Sequence, residues 1–121
     1  MRLVLDSGGL SRLAERSLRA VALQRALLRE GLWPPLVPSV VLVEILTGSA
    51  SRDASTHRLL KGCDVAVRVS EALARRAATL RYRARRGSAV DALVVASAEP
   101  GGFVLTGDPG DIGALATWAS G

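Results

Sequence analysis

The sequence predicts an α/β protein with a mainly parallel β-sheet. Short runs of large apolar residues, such as Leu3–Leu5 and residues 103–106, are too short for helices and lack the polar alternation of a half-exposed strand. Such runs are typical of strands buried on both faces of a sheet. Longer segments with helical spacing separate them, and prolines and glycines mark the boundaries. With 121 residues, the chain is long enough for one domain with one core.

The first strand, Leu3–Leu5, ends at Asp6. Gly8 and Gly9 follow, and they allow a sharp turn into a helix that we predict from Leu10. Asp6 therefore lies at the carboxyl end of a buried strand, the edge where open α/β sheets bind ligands. The alternative is that Asp6 only caps the next helix, because Asp is a favoured N-cap residue.

The next segment is predicted to be helical over residues 10–31, with a candidate break at Arg16 and Ser17 into a short helix and a longer one. Three prolines exclude a helix over residues 32–38. Within that stretch, residues 36–37 are predicted to form a short second strand. Strand, helix and strand therefore alternate, as in a parallel βαβ unit.

Residues 40–46 are apolar except for Glu44 and rich in β-branched side chains, so periodicity alone does not separate strand from helix. Ser39 as an N-cap and Gly48 as a terminator favour a helix. A carboxylate buried in such a segment needs a partner, a metal ion or a raised pKa. Glu44 is therefore a candidate site residue.

The second half of the chain continues the alternation of helices and strands. We predict helices over residues 56–61, 70–86, 88–98 and 112–118, and strands over residues 65–69 and 103–106. Asp91 falls in the first turn of its helix, where the helix dipole alone would favour a carboxylate. Asp108 follows the last strand in a turn rich in glycine. The predicted order corresponds to a layered α/β domain.

The composition bears on the partners of the protein. The net charge is +5, and all basic residues except Lys61 are arginines, whose guanidinium groups bind phosphate bidentately. This favours a polyanionic partner, although a GC-rich coding bias would also enrich arginine. Four aromatic residues leave few platforms on which bases can stack. Cys63 is the only cysteine, so an internal disulfide is excluded, and we expect a cytoplasmic protein without membrane contact.

Four acids form the most informative pattern in the sequence. Asp6 and Asp108 each follow a strand, whereas Glu44 and Asp91 each interrupt an apolar helix. Right-handed crossovers would bring all four to one cleft. Crowded carboxylates repel one another, and Mg²⁺ bound by oxygen ligands is the usual remedy. Such a centre can hydrolyse a phosphodiester.

Other catalytic chemistries have weaker support in the sequence. One histidine and one cysteine cannot build a zinc site from nitrogen and sulfur donors. A Ser-His-Asp triad would need His57, which lies in a polar segment. A phosphatase or receiver-like domain would need a lysine beside the acids, and Lys61 is far from the predicted strand ends.

The motifs together resemble the PIN-domain family, and in particular the VapC-type toxins of bacterial toxin–antitoxin pairs. They are Val4-Leu5-Asp6-Ser7, Pro38-Ser39 with Val43-Glu44, Asp91-Ala92-Leu93-Val94-Val95-Ala96, and Leu105-Thr106-Gly107-Asp108. The resemblance implies a three-layer α/β/α domain with a sheet of four or possibly five strands. It also implies a ribonuclease that depends on Mg²⁺ or Mn²⁺, a homodimer, and inhibition by a small antitoxin protein.

By position, the resemblance implies that the catalytic, metal-binding acids are Asp6, Glu44, Asp91 and Asp108. Around them, it implies supporting roles for Ser7, Thr106 and Asp111, with Thr106 orienting Asp108 and Asp111 a candidate fifth metal-binding acid. The arginine-rich helix 70–86 is a candidate RNA-binding collar, and its candidate contacts are Arg81, Arg83, Arg85 and Arg86. Two alternatives stay open: this helix face is simply solvated, and the whole protein is a catalytically silent module that binds protein or RNA.

Overall fold

A computed structural model describes residues 2–121 of the chain. Its strands are β1 (Leu3–Leu5), β2 (Leu36–Pro38), β3 (Asp64–Ala66) and β4 (Phe103–Leu105). They form one all-parallel sheet in the order β3-β2-β1-β4. The predicted α/β class with a parallel sheet is therefore confirmed, and the sheet of the described residues has four strands.

Seven helices connect or follow these strands. They are α1 (Ser7–Ala14), α2 (Leu18–Arg29), α3 (Ser39–Ile45), α4 (Ala54–Leu60), α5 (Glu71–Ala84), α6 (Ala89–Ala98) and α7 (Pro109–Ala116). Helices α2, α3 and α4 pack on α1, which contacts β1 and β4, whereas α5, α6 and α7 pack on one another, and α6 contacts β1, β2 and β4. The two groups cover opposite faces of the sheet. The connections from β1 to β2 and from β2 to β3 run toward one edge, whereas the connection from β3 to β4 runs toward the other, and right-handed connections of opposite direction lie on opposite faces.

The sheet order places a topological switch point between β1 and β4. From β1 the chain moves outward to β2 and then β3, and it returns to the other side of β1 as β4. β1 is buried along its whole length, and it pairs in register with β4 from Leu3 opposite Phe103 to Leu5 opposite Leu105. Ligands of open α/β sheets bind at the carboxyl ends of strands that flank such a point.

The glycines after β1 have a different role from the predicted one. Helix α1 begins at Ser7, so Gly8 and Gly9 lie inside its first turn and not in a loop before it. A Cβ atom at Gly8 would lie 2.5 Å from the Cα atom of Gly107, and one at Gly9 would overlap the carbonyl of Leu105. Both glycines therefore allow close contact between α1 and the end of β4, and neither is needed for a turn.

Helix α3 also differs at both ends from its prediction. Ser39 is its first residue and makes no capping hydrogen bond, and the helix ends at Ile45 before reaching Gly48. Asp53 accounts for the early end, because its carboxylate accepts hydrogen bonds from the backbone N–H groups of Thr47 and Gly48. These bonds hold the chain in a loop where a helix would otherwise continue.

The predicted strand was too long at β3, and the predicted burial was too complete at β4. β3 ends at Ala66, which leaves Val67 exposed. In β4, Phe103 is 49% exposed. Both strands have a neighbour on one side only, so their outer parts lack the cover that β1 receives from both neighbours and both helical layers.

Candidate metal centre

A cleft of about 380 Å³ opens at the carboxyl ends of β1 and β4. The four acids predicted from the sequence all line it, although they lie as far apart in the chain as residues 6 and 108. The remaining lining residues are Ser7, Gly8, Ser88 and Gly107. The predicted gathering of the four acids into one cleft is therefore present in the fold.

Asp6 is the most buried of these acids, with 5% of its surface exposed. Its Oδ1 atom accepts hydrogen bonds from the backbone N–H groups of Gly9, at 2.7 Å, and Gly107, at 3.3 Å. Its Oδ2 atom accepts a hydrogen bond from the hydroxyl of Thr106. Asp6 is thus the N-cap of α1, which was the alternative explanation for this residue. It also links α1 to the turn after β4 through its hydrogen bonds with Thr106 and Gly107.

Asp108 lies at the mouth of the cleft and is exposed. Its Oδ1 atom caps α7 by accepting a hydrogen bond from the backbone N–H of Asp111 at 3.2 Å. Its own backbone N–H donates to the hydroxyl of Thr106 at 2.8 Å. Because the same hydroxyl donates to Asp6, Thr106 links the two acids that follow β1 and β4.

Asp91 enters the cleft from the first turn of α6. Its Oδ2 atom accepts a hydrogen bond from the backbone N–H of Ser88, and the Ser88 hydroxyl accepts one from the backbone N–H of Asp91. This reciprocal capping box fixes the carboxylate of Asp91 at the start of the helix. The sequence pattern Ser-x-x-Asp at residues 88–91 is the local signal for such a capping box.

The tightest acidic group differs from the predicted one. One carboxylate oxygen from each of Asp91, Asp108 and Asp111 lies within 4.8 Å of the other two. Within residues 2–121, this group of three contains neither Asp6 nor Glu44. Asp111, which was predicted in a supporting role, occupies a first-turn position of α7 that turns its carboxylate toward Asp91 and Asp108.

Glu44 lines the cleft but is not buried, contrary to the premise of its prediction. It is exposed, and its neighbour Val43 is 83% exposed. Helix α3 has only seven residues. It buries Val41 fully and packs Leu42 and Ile45 against the core, while Val43 and Glu44 face away from it. Glu44 therefore needs no partner to offset burial, and its place in the cleft is the remaining reason to consider it.

The fold itself offsets part of the negative charge in the cleft. Asp6, Asp91 and Asp108 each accept hydrogen bonds at the N-terminus of a helix, where the helix dipole favours a carboxylate. In addition, Arg86 donates from Nε to Oδ1 of Asp111 at 2.7 Å. Crowding of these acids is consequently tolerable without a cation, and it does not by itself require a metal.

The four arginines predicted to contact RNA have different surroundings. Arg86 touches the acidic group through Asp111, whereas Arg81 donates to the backbone carbonyl of Gly87 at 3.1 Å. The guanidinium of Arg83 lies 5.8 Å from the centre of the Trp118 ring, and that of Arg85 lies 5.9 Å from the centre of the Tyr82 ring. Of the four, the structure brings Arg86 into contact with the acids of the cleft.

Other parts of helix α5 are used to hold the fold together. Arg76 donates to both carboxylate oxygens of Glu99, at 2.8 and 2.7 Å. Glu99 also accepts a hydrogen bond from the backbone N–H of Ser120. The hydrogen bond from Arg76, more than any other contact, lowers the pKa of Glu99. This part of the predicted collar therefore stabilises the protein and is not free for RNA.

The residues on which the competing chemistries would depend lie outside the cleft. His57 and Lys61 are exposed in and just after α4, and neither lines the cleft. Burial raises the pKa of the Cys63 thiol to about 11, so the reactive thiolate is scarce at neutral pH. The placement gives no support to a histidine-dependent triad or to a lysine-assisted phosphatase.

Comparison with known proteins gives no further identification. No family model matches the chain, and no curated protein matches it. Among residues 2–121, no helix combines the length and the apolar character needed to cross a membrane.

Proposed function

We propose that this protein is an endoribonuclease that depends on Mg²⁺ or Mn²⁺ and hydrolyses RNA phosphodiester bonds. The observation that carries the proposal is the gathering of Asp6, Glu44, Asp91 and Asp108 around one cleft. The cleft lies at the switch point of a parallel sheet, where α/β proteins bind ligands. This arrangement matches what the resemblance to PIN-domain toxins implies for the same four residues.

The donor atoms in the cleft suit a hard divalent cation. The acidic residues that line it offer carboxylate oxygens, which Mg²⁺ and Mn²⁺ prefer, and no histidine or cysteine is among its lining residues. Asp91, Asp108 and Asp111 bring three of these oxygens within 4.8 Å of one another. Their partial exposure leaves room for the waters that Mg²⁺ retains and for a phosphate oxygen.

Each acid has a role that follows from its contacts. Asp91, Asp108 and Asp111 would hold the cation, which when bound would activate water and stabilise charge on the phosphate. Asp6 holds the turn after β4 through Thr106 and Gly107, and so it positions Asp108. Glu44 is exposed in the cleft and can accept a proton from an attacking water or orient that water.

The surface charge supports a polyanionic substrate. Apart from the four predicted acids, the chain carries seven acidic and sixteen basic residues, and arginine predominates among the latter. A basic surface around an acidic cleft attracts the RNA backbone and leaves the cleft for a single phosphate. A toxin role, a homodimer and a small antitoxin partner form part of the proposal through the resemblance alone.

The variant Asp108→Asn tests the metal centre with little risk to the fold. Asn keeps an Oδ1 atom that can cap α7, and Asn and Asp are equally good N-cap residues. The free energy of unfolding without metal should therefore change by less than about 0.5 kcal/mol. Mg²⁺ at 100 times its Kd should stabilise the unchanged chain by about 2.7 kcal/mol. Asp108→Asn should lose most of this gain and most of the RNA cleavage.

The matched control is Asp64→Asn, which removes an exposed carboxylate from β3 outside the cleft. This control should keep both the stabilisation by Mg²⁺ and the cleavage of RNA. The proposal is refuted if the unchanged chain gains no stability with Mg²⁺ or Mn²⁺ and cleaves no RNA. Asp6→Asn is a poorer test, because an amide NH₂ group in place of Oδ2 cannot accept the hydrogen bond from Thr106, which would be lost or reversed in a buried position.

A further inference from the structure

Arg86 lies beside the acidic group of the cleft. It follows Arg85, whose left-handed backbone conformation (φ 55°) turns the chain sharply after α5. From this position, Nε of Arg86 donates to Oδ1 of Asp111 at 2.7 Å. Asp111 in turn belongs to the group of three carboxylates that lie within 4.8 Å of one another. Through Asp111, the guanidinium is thus linked to the group that contains the other candidate metal ligands, Asp91 and Asp108.

Gly110 creates the space that the guanidinium occupies. A Cβ atom at Gly110 would lie 3.2 Å from a terminal nitrogen of Arg86 and 3.6 Å from Oδ1 of Asp108. One terminal nitrogen of Arg86 therefore lies against the first turn of α7, and a side chain at position 110 would have to displace it by a few tenths of an ångström.

The terminal nitrogens of Arg86 remain available for a ligand. The hydrogen bond to Asp111 uses Nε, and among residues 2–121 neither terminal nitrogen has a hydrogen-bond acceptor. The side chain is 56% exposed beside the carboxylate of Asp111. An arginine that is held through Nε and open at its terminal nitrogens presents the planar pair of donors that binds a phosphate.

We propose that Arg86 binds a phosphate of the RNA beside the candidate metal centre, with Asp111 holding its guanidinium in place. This inference rests on the proposed function and makes it more specific. Arg86 supplies the positive charge that holds one phosphate at the cleft, next to the acids that would hold the cation. It sets the position of the RNA backbone and carries no information about base sequence.

The other arginines of the collar lack this combination of contacts. Arg76 already uses Nε and a terminal nitrogen on Glu99. Arg75 makes the same kind of Nε hydrogen bond as Arg86, to Glu71 at 2.8 Å, but at the opposite end of α5. Arg75 is therefore a matched control: it has the same charge and the same type of Nε hydrogen bond to a carboxylate, but it lies within α5 and does not line the cleft.

The test is RNA binding in EDTA, which prevents cleavage that depends on a divalent metal. The affinity of a fluorescein-labelled single-stranded RNA is measured by anisotropy between 50 and 300 mM salt for the unchanged chain, Arg86→Gln and Arg75→Gln. Arg86→Gln should weaken binding about tenfold at low salt and reduce the slope of log K against log salt by about 0.7, the value for one lost phosphate contact on a single strand. Arg75→Gln should change neither quantity by a comparable amount.

Two further variants separate phosphate binding from a purely structural ion pair. Arg86→Lys keeps a positive charge and should keep the slope of log K against log salt, although it loses the planar N–H donors of the guanidinium. Asp111→Asn removes the charge that holds Arg86 but leaves the arginine, so it should keep the slope while weakening binding less than Arg86→Gln does. Equal losses of slope in Asp111→Asn and Arg86→Gln would show that the pair acts only through the fold, and this would overturn the inference.

The remaining outcomes distinguish the two proposals. If the unchanged chain binds RNA and Arg86→Gln behaves like Arg75→Gln, the role of Arg86 is refuted while the proposed function stands. If the unchanged chain neither binds RNA in EDTA nor cleaves it with Mg²⁺, both are refuted. Thermal unfolding of each variant establishes that it is folded at the temperature of the binding measurement.

Discussion

Replacing Gly8 by alanine tests whether backbone contact between α1 and the turn after β4 builds the cleft. The added Cβ atom would lie 2.5 Å from the Cα atom and 2.6 Å from the nitrogen of Gly107. Ordinary carbon contacts are about 3.5–4.0 Å, so one backbone segment must move by about 1 Å. Neither contact can be relieved by a side-chain rotation, because both atoms belong to the backbone.

The free energy of this change has two parts of opposite sign. Alanine in place of glycine stabilises a helix interior by up to about 1 kcal/mol. Overpacking against a rigid neighbour costs about 1–3 kcal/mol or more. We expect Gly8→Ala to lower the free energy of unfolding by about 1–2 kcal/mol. It should also weaken stabilisation by Mg²⁺, because Gly107 immediately precedes Asp108.

The control is Gly113→Ala, which places a Cβ atom in α7 with no neighbouring atom within 4 Å. This variant should gain up to about 1 kcal/mol, since only the helix propensity changes. Both variants are measured by urea unfolding with and without Mg²⁺. If Gly8→Ala is as stable as Gly113→Ala, the close approach of α1 to Gly107 does not exist as described, and the argument for the geometry of the cleft fails.

Two further predictions concern residues outside the cleft. Arg76 lowers the pKa of Glu99 from its ordinary value of 4.5, so the pair stabilises the protein above that pH and loses its effect as the pH falls through the lowered pKa. Glu99→Gln should therefore cost about 1 kcal/mol at pH 7, and the melting curves of the two proteins should converge once the pH falls below the lowered pKa of Glu99. The thiol of Cys63, with a pKa of about 11, should react with a thiol reagent at pH 8 much more slowly in the native than in the urea-unfolded protein. Equal rates in the two states would contradict its burial.

The three aspartates of the cleft show that a capping role and a site role can coincide. Asp6 was open to a plain capping explanation and Asp91 to the helix dipole alone. Both of them, and Asp108, do accept a hydrogen bond at a helix N-terminus. The same bonds fix the carboxylates at the points where three helices begin beside the cleft. Capping therefore does not count against these residues as metal ligands; it holds them in position.

The local features of the chain could be predicted from the sequence. The run Leu3–Leu5, the break that Arg16 and Ser17 introduce between α1 and α2, and the Ser70 cap of α5 depend on side chains within one or two helical turns. The parallel sheet and its right-handed crossovers follow from the order of such elements. These rules also sufficed to bring the four acids to one edge of the sheet.

Contacts between distant segments were decided by the tertiary structure alone. The exposure of Glu44 depends on which face of α3 meets the core, and a short β-branched run does not specify that face. Asp111 joins Asp91 and Asp108, and Arg86 reaches Asp111, because of how α7 packs against α5 and α6. Such packing depends on close contacts such as that between Gly8 and Gly107, where two backbone segments about a hundred residues apart in the chain touch. Sequence periodicity describes each element by itself, and only the folded chain determines which elements touch.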